Sequence, residues 1–178
     1  MEQVSEAVSK MRVSQSGTDL VFVRPFKALP EQVFQAWTQP QLLTQWWGPH
    51  HFSNHDCKID LKAGGQWGIV MRAPDGKDYP CVGFYLEVSP PHKLVWTDLS
   101  HDMPNDWIDK LNQYRQGEPG DTELKIITTA EFMADGEGTQ LTLTSHFANV
   151  ADRDAIIQMG AVEGWAQSLE RLDTVLAG

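Results

Sequence analysis

The spacing of apolar residues changes period several times along the chain. From Asp19 to Lys27 the run DLVFVRPFK is rich in β-formers and ends in the turn-like ALP. Pro25 has no N–H for a ladder, which predicts an edge or bulged position for this strand. Pro30 opens a short helix, PEQVFQAW, with Val33, Phe34 and Trp37 on one face. After a break at Thr38–Pro40 a second short helix, PQLLTQWW, runs to Gly48-Pro49. Beyond Pro49 the period becomes two. Cys57, Ile59 and Leu61, then Trp67, Ile69 and Met71, then Val82, Phe84, Leu86 and Val88, then Leu94 and Trp96 mark four half-buried strands. The turns between them are Ala63-Gly64-Gly65, APDGKD and Ser89-Pro90-Pro91. ELKIITTAEF and TQLTLTSHF add two more, with Ile126, Ala130, Phe132, Leu141, Leu143 and Phe147 facing inward.

Leu99–Asp121 interrupts this rhythm. Pro104 begins a helix there with Trp107, Ile108, Leu111 and Tyr114 on one side, and GEPGD ends it. Asp152 caps a single last helix reaching about Ala177, roughly 40 Å long at about 1.5 Å per residue. Ala161, Trp165, Leu169, Leu172 and Leu176 form its apolar stripe. The order predicts an α+β fold in which a seven-stranded antiparallel sheet curls around one long helix, with a cavity between them. Residues 1–17 are expected to be a polar mobile arm. Residues 18–178 then form one domain with an inserted helical segment at about 99–121.

Composition narrows the function classes. A chain of 178 residues with 41% hydrophobic and 21% charged residues is ordinary globular material. Fourteen Lys and Arg against 24 Asp and Glu give −10, with no basic cluster, so no nucleic-acid partner is expected. No apolar run approaches the ~18 residues of a membrane span, and the opening segment lacks the apolar stretch of a signal peptide. Two cysteines are too few for a disulfide framework and point to the cytoplasm. The oligomeric state stays open, a homodimer included. Seven tryptophans are the unusual count.

Five blocks carry a family resemblance: PEQVFQAWTQPQLLTQWWGP, CKIDLKAGGQW, GFYLEVSPPHKLVWT, GEGTQLTLT and GWAQSLERLDTVL. Together, and in this order, they resemble the bacterial proteins similar to the C-terminal domain of the activator of the Hsp90 ATPase, within the START/Bet v 1-like (helix-grip) superfamily. The resemblance implies the helix-grip fold. For function it implies a range, because known members bind lipids, sterols or plant metabolites, close polyketide rings, or assist a chaperone. The matching positions, such as Trp37, Trp46, Gly64-Gly65, Pro90-Pro91 and Trp165, are turn-makers and core aromatics, and a scaffold does not specify an activity. The segment at Leu99–Asp121 departs from the family pattern, and as an amphipathic helix beside a cavity it is a candidate lid.

Polar chemistry in the sequence is sparse. His51, His55 and Cys57 share strand parity, but a straight strand keeps His51 ~13 Å from His55, and no zinc signature is present, so no metal and no cofactor are expected. The resembled topology places one strand between those of Cys57 and Cys81, so the two read as separate thiols. Asp98, His101 and Tyr85 are the polar residues available to a cyclase or hydrolase working in the cavity. The leading reading is a site for a small hydrophobic or amphipathic molecule, lined by Trp67, Ile69, Met71, Phe84, Leu86, Trp96, Trp107, Leu141, Leu143, Trp165 and Leu169. The alternatives are an enzyme using the same cavity and a chaperone-assisting interaction module.

Overall fold

Short turns force neighbouring strands to run antiparallel, and the computed structural model, which describes residues 6–8, 10–115 and 123–178, shows one sheet built this way throughout. The strands are β1 (Glu6–Val8), β2 (Met11–Ser16), β3 (Asp19–Phe26), β4 (Ser53–Ile59), β5 (Gln66–Arg72), β6 (Asp78–Ser89), β7 (Lys93–Leu99), β8 (Lys125–Asp135) and β9 (Gly138–His146). The helices are α1 (Pro30–Thr38), α2 (Pro40–Trp46), α3 (Asn105–Tyr114), α4 (Val150–Gln158) and α5 (Ala161–Ala177). The spatial order is β1-β2-β3-β9-β8-β7-β6-β5-β4. Helices α1 and α2 carry the chain from β3 to the far edge at β4. A meander then returns until β9 closes against β3 in register Phe22↔Leu143.

Four expectations need correction. First, the sheet has eight strands of six residues or more plus the three-residue β1, not seven. The extra strands come from the expected arm. Residues 11–16 pair with β3 from Arg12↔Val23 to Ser16↔Asp19, and Met11 and Val13 are buried. Gly17, at φ 58°, supplies the left-handed position of the tight turn between them. Two apolar residues alternating with polar ones made this strand easy to miss. Residues 1–5 and 9 of the expected arm and 116–121 of the expected insertion lie outside the described residues.

Second, β3 is interior to the sheet. Its pairing with β2 stops at Val23, however, so Pro25 has only β9 alongside, opposite Gln140. The missing donor falls where no ladder needs it.

Third, β6 faces the other way over most of its length. Cys81, Gly83 and Tyr85 point into the core, while Phe84 is 41% exposed and Leu86 48% exposed. A bulge explains this. The register steps from Tyr85↔Trp96 to Glu87↔Val95, which flips the parity, and beyond it Val88 packs on the core. The inward phase of Val88 does not extend back across the bulge. On β4 the expected alternation holds at Cys57 and Ile59, which pack against the core. A second bulge between His55 and Lys58, with Asp56 at φ 51°, shifts the register with β5, and Leu61 lies exposed beyond the strand.

Fourth, the long terminal helix is two helices. Asn149, whose side chain accepts from the Asp152 N–H at 2.8 Å, caps α4, and Gly160 at φ 93° separates α4 from α5. In α5, Leu169 and Leu172 are fully buried against the sheet, as the stripe requires.

The concave face is mostly apolar but carries ionisable side chains. Arg24 of β3 points inward and is 1% exposed, and its guanidinium makes a bidentate pair with Asp173 of α5 at 3.0 and 2.7 Å. It also lies over the Phe26 ring at 4.7 Å. This pair fixes the C-terminal half of α5 to the sheet. Gly83 has a different duty. A Cβ there would stand 1.7 Å from the Thr97 carbonyl oxygen and 2.8 Å from Trp67 Nε1, the two atoms that hydrogen-bond each other at 3.0 Å.

Two stability outcomes follow, both measurable by urea unfolding. Gly83→Ala costs about 3 kcal/mol or more, because the backbone of β7 must move. Asp173→Ala costs about 2–4 kcal/mol by leaving Arg24 buried without its carboxylate, and the double variant with Arg24→Met regains more than half of that loss.

Candidate functional site

The space between sheet and helices is unevenly filled. Trp37 of α1 stands at the centre of an aromatic cluster, with ring centroids of Trp46, Trp96, Phe132, Trp165 and Trp47 at 4.7, 5.5, 5.9, 5.9 and 6.3 Å. Trp67 joins through Trp47 at 5.8 Å. Backbone carbonyls hold two of these indoles in place: Trp46 Nε1 donates to Ala36 O at 2.9 Å and Trp67 Nε1 to Thr97 O at 3.0 Å. What remains open within the cluster is about 20 Å³, the space of one water.

Beyond the cluster the packing opens into a cavity of about 270 Å³. It lies where α4 gives way to α5. Met159, Gly160, Gly164 and Trp165 form one wall. The ends of β7 and β8, with Met71 and Cys81, form the opposite one. The loop Trp47–Pro49 bounds one side, and Met103 and Trp107 of the α3 segment bound another. Gly160 contributes by ending α4 so that no continuous helix crosses this space.

Asp98 is the one ionisable carboxyl in that wall among the described residues. Its Oδ2 accepts from Trp96 Nε1 at 3.2 Å and from Thr128 Oγ1 at 3.3 Å, while Oδ1 has no hydrogen-bond partner among the described residues. Burial pushes the carboxyl up to about 7, against the smaller opposing effect of the two hydrogen bonds. Cys81 faces the same space. Burial and then the nearby Asp98 charge raise its thiol to about 12, so it is a neutral lining group.

The walls are pinned from outside. Arg171 of α5 donates through Nη1 to the carbonyls of Trp47, Gly48 and Pro49 at 2.9–3.0 Å, and through Nη2 to Gln45 O at 3.3 Å. Four carbonyls at the end of α2 are thereby satisfied. Asn54 Nδ2 adds donations to Thr44 O and Trp47 O. Helix α3 is tied at both ends, by Lys77 to Asp106 and by the buried pair Arg115–Asp152 at 2.8 Å, and it packs on α4.

Of the residues expected to line a site, Met71, Trp107 and Trp165 border this cavity. Trp67 and Trp96 belong to the aromatic cluster, and Ile69, Leu141, Leu143 and Leu169 are fully enclosed core. Phe84 and Leu86 point to the opposite face of the sheet, for the bulge reason given above. Among the polar candidates, Asp98 reaches the cavity. Tyr85 is buried at the cluster, its phenol pushed well above the usual range by burial, and His101 is solvated between Asp102 and Glu123. His55 lies between Asp56 and Asp78 at 2.9 and 3.3 Å, His51 is exposed at φ 72°, and Cys57 is half-buried with its thiol raised to about 11. Among the described residues no three His, Cys, Asp or Glu side chains converge as a metal site. Sequence reasoning missed Trp47, Cys81, Met103 and Met159. Trp47 and Met159 each precede a positive-φ glycine, Gly48 and Gly160, and that doublet is the available signal.

Among the described residues no helix is long and apolar enough to cross a membrane. Solved structures share the fold over nearly their whole length. A Nitrosomonas europaea protein is 28% identical, with a TM-score of 0.71 over 90% of this chain and 94% of its own. A Rhodobacter sphaeroides protein is 25% identical, with a TM-score of 0.75 over 94% and 97%. A Silicibacter pomeroyi protein described as AHSA1 is 26% identical, with a TM-score of 0.66 over 89% and 97%. No curated protein matches the chain significantly. The family model for activator of Hsp90 ATPase homolog 1-like proteins matches residues 27–177, nearly all of the helix-grip domain, and the chain belongs to that AHSA1 family.

Proposed function

We propose that this protein binds a small, mostly apolar molecule in the cavity between the end of β7 and the α4–α5 break. The family's Bet v 1-like fold is known for ligand-binding cavities. The observation that carries the reading here is a 270 Å³ space with mostly apolar walls and a single carboxyl group. A dry cavity of roughly 150 Å³ holds benzene, so this one takes about ten non-hydrogen atoms by proportion. That size favours a small aromatic or branched molecule over a sterol or a long acyl chain. The two free cysteines support a reducing, cytoplasmic setting for it.

Gly164 gives a clean test. It sits in α5 at the cavity wall, and a Cβ there meets nothing within 4 Å. Gly164→Leu fills the cavity and removes a helix glycine worth up to about 1 kcal/mol, so the variant is at least as stable as the parent. A panel of small aromatic, terpenoid and acyl compounds is expected to raise the parent's melting temperature and change its tryptophan fluorescence, and to do neither to Gly164→Leu. A ligand at a hundredfold excess over Kd adds about 2.7 kcal/mol, well within reach of the assay. A panel with no responder, or responders indifferent to Gly164→Leu, overturns the reading.

Asp98 also leaves a mark on stability. Its carboxyl pKa is raised by folding from 3.8 to about 7. The folded state therefore holds a proton that the unfolded chain releases over that window, and stability from this group is full below pH ~4 and lost as pH rises to about 7. Relative to Asp98→Asn, the parent is expected to lose on the order of 2–4 kcal/mol between pH 4 and pH 8. Urea unfolding of both proteins across that range checks it, because the remaining carboxylates cancel in the difference.

A further inference from the structure

We propose that the cavity is selective for a small apolar amine, whose ammonium group pairs with Asp98 Oδ1 while its body occupies the space among Trp47, Trp107 and Trp165. This rests on the reading of the cavity as a ligand site and adds the chemical class of the ligand.

Four observations lead there. The polar equipment of the cavity is an acceptor. Oδ2 of Asp98 is anchored by two donors and Oδ1 is left without a partner among the described residues, so the wall offers one oriented carboxyl oxygen to an incoming N–H. No Lys or Arg lines the cavity among the described residues, and the nearby Arg171 already faces four carbonyls. A ligand carboxylate or phosphate would thus meet a carboxyl and no counter-charge.

The apolar equipment suits a cation. Three indoles border the space, and Trp165 is backed on one face by Trp37, stacked at 5.9 Å and 19°. Indole is the best of the aromatic side chains at holding an ammonium group out of water. Met71, Met103 and Met159 complete the lining with polarisable, adaptable chains. Finally, the net charge of −10 draws cations and repels anions on approach.

Besides Asp98, the titratable group facing the cavity among the described residues is Cys81 on β6, which stays a thiol through neutral pH. Asp98 is largely protonated at pH 6 and ionised at pH 8.5. An ammonium ligand binding at pH 6 must therefore displace the Asp98 proton into solvent, whereas at pH 8.5 it meets a carboxylate already formed. Affinity for the amine rises with pH across this range, until the ligand's own ammonium begins to titrate.

The experiment is calorimetric titration of the whole chain with 2-phenylethylamine, 2-phenylethanol and phenylacetate, compounds of nearly equal size bearing a cation, a neutral donor and an anion. The expected result at pH 8.5 is binding of the amine at least tenfold tighter than the alcohol, and no detectable binding of phenylacetate. In Asp98→Asn the amine and alcohol fall within threefold of each other, with the alcohol's affinity retained. Parent titrations at pH 6 in two buffers of different ionisation enthalpy supply a readout that needs no variant, namely release of more than about half a proton per amine bound. Amine and alcohol binding equally to the parent, phenylacetate binding best, a preference that survives Asp98→Asn, or no proton released each overturn the amine assignment while leaving a ligand site in place. Failure of all three probes to bind overturns the assignment. Failure of the wider compound panel as well removes the ligand site itself.

Discussion

Trp37 is the contact on which the arrangement of this fold turns. Five aromatic rings from α1–α2, β7, β8 and α5 lie within 6.3 Å of its centroid, so one side chain links the helical pair, the sheet and the C-terminal helix. Its Nε1 is buried and has no hydrogen-bond partner among the described residues, a cost of about 1–3 kcal/mol. That cost is tolerated because the ring faces contribute more through packing than the lost hydrogen bond removes. A curved sheet gripping one helix leaves a volume that must be filled somewhere. Here the indoles fill it nearest α1 and α2, down to a void of about 20 Å³.

The location of the cavity is a consequence of that filling. With one half closed by tryptophan, the unfilled volume is displaced toward the ends of β7 and β8, and the chain there accommodates it. Gly160 ends α4 before it crosses the space, Gly164 keeps a side chain out of it, and α3 closes over it with Met103 and Trp107. The two ion pairs of α3 differ in kind. Lys77–Asp106 lies at the surface, where screening weakens it, whereas Arg115 and Asp152 are buried and hold the C-terminal end of α3 against α4. The firmer attachment of α3 is therefore at the α4 end.

Much of the scaffold was legible because it is written in turns and alternation. Pro30 and Pro40 start their helices, and Leu94, Trp96, Ala130, Phe132, Leu141 and Leu143 face inward as their period demands. The errors cluster where one residue changes a direction. In CVGFYLEV the more apolar parity is Val82, Phe84, Leu86 and Val88, yet Phe84 and Leu86 are exposed, so alternation selects the wrong face before the bulge. The choice is made by Gly83, whose missing side chain admits the Trp67–Thr97 hydrogen bond, and by the bulge after Tyr85. Gly160 sits inside a run that otherwise reads as continuous helix, and its positive φ becomes visible only with the backbone. Arg24 was invisible as a core residue because its partner, Asp173, lies 149 positions away. The site suffered most, since a cavity is defined by which predicted core positions fail to touch one another, and no periodicity reports that.

Asp98 shows how a shared scaffold and a particular chemistry coexist in one domain. The matched family blocks surround the tryptophan cluster and the turns, where substitution would disturb packing on all sides. The cavity borders that cluster, walled partly by the same blocks at Trp47–Pro49 and Gly164–Ser168 and partly by the α3 segment, which departs from the family pattern. A buried carboxyl destabilises a fold when ionised, and nothing in the packing of β7 requires one: Trp96 Nε1 and Thr128 Oγ1 would be served equally by the amide of asparagine. A group that weakens the folded state near neutral pH, yet is held by two donors with one oxygen left open to a cavity, is better accounted for by what enters the cavity than by the stability of the empty protein. The tryptophan cluster explains how the sheet and helices hold together, and the proposed ligand site rests on what the residues around Asp98 add to it.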